Sequence, residues 1–112
     1  MNILITGGNS SLGVALKRYL GIKHDVFTAG RRDCDVIWDW NDEPENWEIP
    51  AKTDVLIHTA ASYGGVEYEK FKESIEMNLI GTLKVCEYVK IHSINHFIHI
   101  SNIIYKSIIK YQ

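Results

Sequence analysis

A chain of 112 residues holds one domain with one core and is too short for a cofactor domain plus a separate substrate domain. Hydrophobic residues make up 46% and charged residues 23%, ordinary globular usage that argues against a disordered or fibrous chain. The formal net charge of -2 leaves no excess of Lys and Arg to neutralise nucleic-acid phosphates or to face anionic lipid, so neither nucleic acid nor membrane is an expected partner.

The first apolar run of strand length covers 2–6 and stops at Gly7-Gly8. Leu12, Leu16, Tyr19 and Leu20 then recur at helical spacing and predict a helix that ends at Gly21. Strand-like runs follow at 25–29 and, more briefly, at 35–38. The segment 41–53 holds both prolines, shows no helical stripe and reads as an irregular connection. Residues 54–58, Asp-Val-Leu-Ile-His, form a nearly continuous apolar run of the kind expected for a parallel strand buried on both faces. From 67 to 91, Tyr68, Phe71, Ile75, Leu79, Leu83, Cys86 and Val89 advance by three or four, with Glu and Lys between them. That pattern predicts a long amphipathic helix with this stripe inward and Cys86 packed inside. A last strand is expected over 96–101.

Strands alternating with helices define the class as α/β, a Rossmann-like parallel sheet of about five strands with helices on both faces. Right-handed crossovers give the order 3-2-1-4-5, with a crevice between strands 1 and 4 at the carboxyl edge. In that topology one helix covers each face, and the first face of strands 4 and 5 lies bare, which implies a partner, a homo-oligomer or marginal stability. The N-terminus has only three consecutive apolar residues and no basic region, so no signal peptide is expected there; no apolar run approaches the ~20 residues of a membrane span. The expected location is the cytoplasm, with Cys34 and Cys86 as reduced thiols. His92, His96 and His99 lack a carboxylate cluster, and His96 and His99 fall on opposite strand faces, so no metal site is expected.

Directly after the first strand come Thr6-Gly7-Gly8-Asn9-Ser10-Ser11-Leu12-Gly13 and then a helix, the strand-turn-helix setting of a dinucleotide-binding loop. Gly7 permits a tight turn, and small residues at 8–11 let backbone N–H groups approach a pyrophosphate. Gly13 lets the helix pack on the strand, and the helix dipole favours the anion. The stretch resembles the fingerprint of the short-chain dehydrogenase/reductase superfamily, Thr-Gly-x-x-Gly-x-x-Gly in the extended branch or Thr-Gly-x-x-x-Gly-x-Gly in the short branch. Ser10 replaces the middle glycine of the first pattern and Ser11 that of the second. Either serine is small and carries a hydroxyl that can donate to a phosphate.

Three further stretches resemble the extended branch. Residues 54–61 match Asp-x-x-x-His-x-Ala-Ala, in which Ala60 and Ala61 would let backbone approach the cofactor. Asn78-Leu79-Ile80-Gly81-Thr82 matches Asn-x-x-Gly-Thr, and His96 to Asn102 resembles the fifth strand, whose end carries the substrate-binding Ser or Thr. Together these resemblances imply a member of the NAD-dependent epimerase/dehydratase family, its N-terminal part, whose usual substrates are nucleotide-activated sugars. They imply cofactor contacts from Gly7, Gly8, Ser10, Ser11, Leu12, Gly13, Ala60 and Ala61. Arg31 and Arg32, just beyond strand 2, tilt the choice between NAD and NADP toward NADP, whose 2′-phosphate an arginine accommodates. Asp39 stands where the family's adenine-contacting acid stands; a capped turn between two packing tryptophans is the other reading.

The superfamily's reaction needs a Tyr acid/base with a Lys four residues on, one helical turn away. Tyr105 is followed at 109 by Ile, and Tyr111 has only Gln112 behind it. The family's catalytic Ser/Thr falls on Ser101 when counted from Tyr105 and on Asn102 when counted from the strand end. The expectation is therefore a chain that holds the dinucleotide of an oxidoreductase or isomerase but does not turn over alone. The alternative is a noncatalytic dinucleotide-binding or interaction module acting as a small oligomer.

Overall fold

The computed structural model describes residues 1–50, 52–60 and 67–100. Five strands, β1 (Asn2–Thr6), β2 (Asp25–Gly30), β3 (Val36–Ile37), β4 (Val55–His58) and β5 (His96–His99), form one sheet in the order β3-β2-β1-β4-β5. Every neighbouring pair is parallel. Class, strand order and the position of each strand match the sequence reading. The irregular connection contains one short 3-10 turn, Pro44–Asn46, with proline at its first position, where no intrahelical N–H is required.

Alternation along the central strands builds two cores. Ile3, Ile5, Val55 and Ile57 face one side, where Leu16, Leu20 and Val26 pack on them. Leu4, Ala29 and Leu56 face the other, against Trp38, Trp47, Val85, Tyr88 and Ile94. Fully burying a side chain such as Leu4 or Leu56 contributes about 2 kcal/mol.

Helix α1 (Ser11–Leu20) covers the first side and carries Lys17 and Arg18 in its last turn, where cations complement the helix dipole. On the second side runs α2 (Tyr68–Ile75), a π-helical turn (Glu76–Ile80) and α3 (Gly81–Ile91). The helix predicted over 67–91 is therefore present, but the π-turn interrupts it and the predicted face is wrong. Tyr68, Phe71, Ile75, Leu79 and Leu83 are 46–74% exposed, and Cys86 is exposed rather than packed inside. The residues turned to the sheet are Gly81, Val85 and Tyr88. A Cβ on Gly81 would lie 3.3 Å from the Trp40 ring, so the bare position there admits Trp40, while Val85 and Tyr88 fill the core with Trp38 and Trp47.

The bare face expected on strands 4 and 5 holds for β5, where Ile98 is 46% exposed and Ile100, just beyond the strand, 40%. It does not hold for β4, whose Val55 and Ile57 are buried.

Candidate functional site

β1, β2 and β4 deliver their carboxyl ends to one edge of the sheet, with Thr6 in register between Ala29 and His58. The loop leaving β1 is shaped by its glycines. Gly7 has φ +69°, and a Cβ there would lie 2.6 Å from Thr59 Oγ1 and 2.8 Å from Ala60 N. Handedness and space thus both require glycine at this position. A Cβ on Gly8 would meet Thr28 at 2.5 Å, and one on Gly13 would overlap the Gly7 carbonyl, so α1 can approach the loop only because position 13 is bare.

Ser10, at the middle position of the extended-branch pattern, has φ -71° and ψ 159°, a region open to any L-residue. The substitution for glycine therefore costs no backbone strain. Its hydroxyl donates to the Gly7 carbonyl at 2.7 Å and accepts the Gly13 N–H at 3.0 Å, which makes it the N-cap of α1. The proton that the sequence reading offered to a phosphate is spent on Gly7. The N–H groups of Ser11 and Leu12 precede the first intrahelical bond, from Val14 to Ser10. They are the donors that the N-terminus of α1 leaves toward the edge.

The turn after β2 is tied to this loop, since Asn9 Nδ2 donates to the Arg32 carbonyl at 2.6 Å. Arg31 and Arg32 are exposed on it. Asp33 takes φ +54°, and the Asp35 carboxylate accepts the Thr28 N–H at 2.8 Å as the chain returns. From the β3 side, Trp40 leans on Gly81, and Lys84 Nζ donates to the carbonyls of Trp40 at 2.8 Å and Asp42 at 3.1 Å, fixing the loop to α3.

These elements enclose a cavity of about 550 Å³, within the range of small-molecule sites. Gly7, Gly8, Ser10, Ser11, Leu12, Arg31, Arg32 and Ala60, all named above as candidate cofactor contacts, line it. Gly13 lies behind the lining as a packing residue. Asp39 is outside it: the carboxylate accepts the Asn41 N–H at 2.9 Å and the carbonyl accepts Trp47 Nε1 at 2.8 Å, the capped-turn arrangement. Ala61, Ser101, Asn102, Tyr105 and Tyr111 lie outside the described residues.

The lining also includes Asn9, within the 8–11 stretch of the loop, and Gly30, Cys34, Trp40, Thr59, Met77 and Ile100, which sequence reasoning did not place there. For Trp40, Thr59 and Met77 a signal existed, since each adjoins a residue singled out by the motifs. Cys34 carries no such mark.

His58, buried at the end of β4, is held between Thr6 Oγ1 at 2.6 Å and Thr82 Oγ1 at 3.0 Å. Burial, and secondarily the charge of His99, push its pKa down to about 4. Burial likewise raises Tyr88 to about 12. Among the described residues no group of three His, Cys, Asp or Glu side chains is placed to hold a metal ion, and no helix is long and apolar enough to cross a membrane.

The cradle of Cβ-free positions, the two free helix-terminal N–H groups and the paired arginines fit an elongated phosphate-containing ligand. A model of the NAD dependent epimerase/dehydratase family matches residues 3–105. The chain belongs to that family. No curated protein matches the sequence. Among solved structures, this family member is similar to the protein lin1944 of Listeria innocua, at 29% identity over 85% of this chain and 51% of that one, TM-score 0.68. It is also similar to a hypothetical dTDP-4-dehydrorhamnose reductase of Sulfolobus tokodaii, at 28% identity over 90% and 39%, TM-score 0.73. A human epimerase family protein, SDR39U1, solved with NADPH, shares the fold at 18% identity over 94% and 38%, TM-score 0.75. The family member described here spans about half or less of the length of each.

Proposed function

We propose that residues 1–112 form the NAD(P)-binding portion of an epimerase, dehydratase or reductase acting on nucleotide-activated sugars. The observation that carries this reading is the cavity at the carboxyl edge, in which the glycine loop, the N-terminus of α1 and Arg31 and Arg32 share one wall. A bound nicotinamide dinucleotide would supply hydride transfer. This chain's residues would bind its phosphates, through the Ser11 and Leu12 N–H groups, and its base, beside Trp40.

Arg31 and Arg32 support a preference for NADP, since guanidinium groups suit a phosphate monoester. Ser101, the family's Ser/Thr position when counted from Tyr105, would be the substrate-binding residue. A cytoplasmic, reducing location suits the free thiols Cys34 and Cys86.

Calorimetric titration of the chain with NADP and NAD, beside an Arg31→Ala/Arg32→Ala variant, tests the reading. The expected result is binding that favours NADP by roughly ten-fold and a preference lost in the variant. A folded chain that binds neither dinucleotide overturns the assignment. A noncatalytic module acting as a small homo-oligomer is the second reading, and the exposed apolar stripe from Tyr68 to Leu83 favours it.

A further inference from the structure

The inference concerns the junction of β1 and β4, where the hydrogen bonds are made by side chains rather than by the sheet ladder. It rests on the dinucleotide reading only for its effect on ligand affinity.

Thr6 Oγ1 has three neighbours. It lies 3.1 Å from Thr59 N, 3.3 Å from Ala60 N and 2.6 Å from His58 Nδ1. A hydroxyl has one proton and two acceptor sites. Backbone N–H groups can only donate, so Thr59 and Ala60 take both acceptor sites. The third contact must then use the Thr6 proton, which makes His58 Nδ1 the acceptor and leaves it without hydrogen. The ring proton is accordingly on Nε2, where Thr82 Oγ1 receives it at 3.0 Å. A cationic ring would aim a third donor at an oxygen with no site left. The pKa of His58, pushed down to about 4, agrees with this count. Among the described residues the groups around the ring add no anion: Thr6 from β1, Trp40 from the β3 side, Phe97 and His99 from β5, and Thr82 from α3.

We propose that His58 is a positioning residue, fixed as the neutral Nε2–H tautomer, that orients the Thr6 hydroxyl so that it holds the Thr59 and Ala60 backbone as the wall of the dinucleotide cavity and ties that wall to α3. The direction of the relay follows from the donors. Thr82 accepts from His58, His58 accepts from Thr6, and Thr6 accepts from the two amides. Thr59 closes the ring by donating its hydroxyl to the Thr6 carbonyl at 2.6 Å. Thr82 belongs to the first turn of α3, directly after the π-turn. The geometry of the cavity wall is thereby coupled to the long helix by one chain of hydrogen bonds. The wall also borders the glycine loop, since a Cβ on Gly7 would lie 2.6 Å from Thr59 Oγ1 and 2.8 Å from Ala60 N.

Nitrogen-15 spectra of the full chain labelled on its histidines provide the first test and need no ligand. His58 should show a bare Nδ1 and a protonated Nε2 from pH 5 to 8; a protonated Nδ1 or a rapidly exchanging pair of tautomers overturns the proposal. Amide hydrogen exchange provides the second. In Thr6→Val the Thr59 and Ala60 amides should exchange faster, by about ten-fold, while Thr6→Ser should stay near the wild type; unchanged protection in Thr6→Val overturns it.

Should Thr6→Val fail to fold, Thr82→Val removes the Nε2 partner at the half-buried end, and water exchange of the Nε2 proton should accelerate; an unaltered rate counts against the relay. In NADP titrations, Thr6→Val should weaken binding by about ten-fold and Thr6→Ser should restore it. If the wild type binds no dinucleotide yet shows the stated tautomer and amide response, the functional reading fails and the relay stands. If it binds while Nδ1 carries the proton, the relay fails and the functional reading stands.

Discussion

Within the glycine loop, chemically similar positions carry unequal constraints. Ser10 caps α1 from ordinary backbone angles, whereas Gly7 is held in the left-handed region against Thr59. Urea unfolding should therefore rank three variants. Ser10→Gly should cost only a few tenths of a kcal/mol, Ser10→Ala about 1 kcal/mol through loss of the cap, and Gly7→Ala about 2 kcal/mol or more through strain and overlap. His58 adds a pH dependence. Its pKa falls from 6.5 unfolded to about 4 folded, so the folded state resists the proton that the unfolded state accepts. Its contribution is complete above pH 6.5 and is lost as pH falls toward 4, by about 3 kcal/mol at most. Stability measured across this window should fall less steeply in His58→Asn than in the wild type. At this scale the sequence was informative where a motif dictates backbone. The Gly7 turn, the small loop residues and the arginine pair could be placed from residue identity and spacing. The direction of the Ser10 hydroxyl could not, because a cap and a phosphate contact use the same side chain and only geometry decides between them.

At the scale of elements, strand positions were legible because parallel strands buried on both sides are short apolar runs bounded by turn residues. The helix from Tyr68 to Ile91 was legible as a helix and misleading in orientation. Two stripes advance along it at similar spacing, and the more apolar one faces outward. The inward one is marked by Gly81, whose missing side chain admits Trp40, and a hydrophobicity pattern gives weight to neither fact. The outward stripe spans a hydrophobic surface of the kind that soluble monomers rarely expose. Leu79→Lys together with Leu83→Lys should consequently shift sedimentation toward the monomer. The same pair should leave urea stability within about 0.5 kcal/mol, as for surface positions without special roles. Self-association unchanged by the pair would count against this surface as the contact.

At the scale of the molecule, the order β3-β2-β1-β4-β5 brings the ends of β1, β2 and β4 to one edge, so residues as distant in sequence as Gly7, Arg32 and Ala60 line one cavity. Topology was predictable from crossover handedness; the contribution of Trp40 was not, because it depends on a loop held by Lys84 of α3, distant in sequence. The tryptophan cluster has an optical consequence. All three tryptophans of the chain lie together: Trp38 and Trp47 stack at 4.4 Å, and Trp40 meets them edge-on at 6.4 and 5.2 Å. Excitation absorbed by any one of them will migrate among the three, so their emission behaves as a single signal. Because Trp40 also lines the cavity, NADPH should quench that signal and glow by energy transfer, with a midpoint equal to the calorimetric one. Emission indifferent to a ligand that calorimetry detects would mean that the ligand lies elsewhere. The protein thus carries its own lamp, wired at one end to the core and at the other to the ligand.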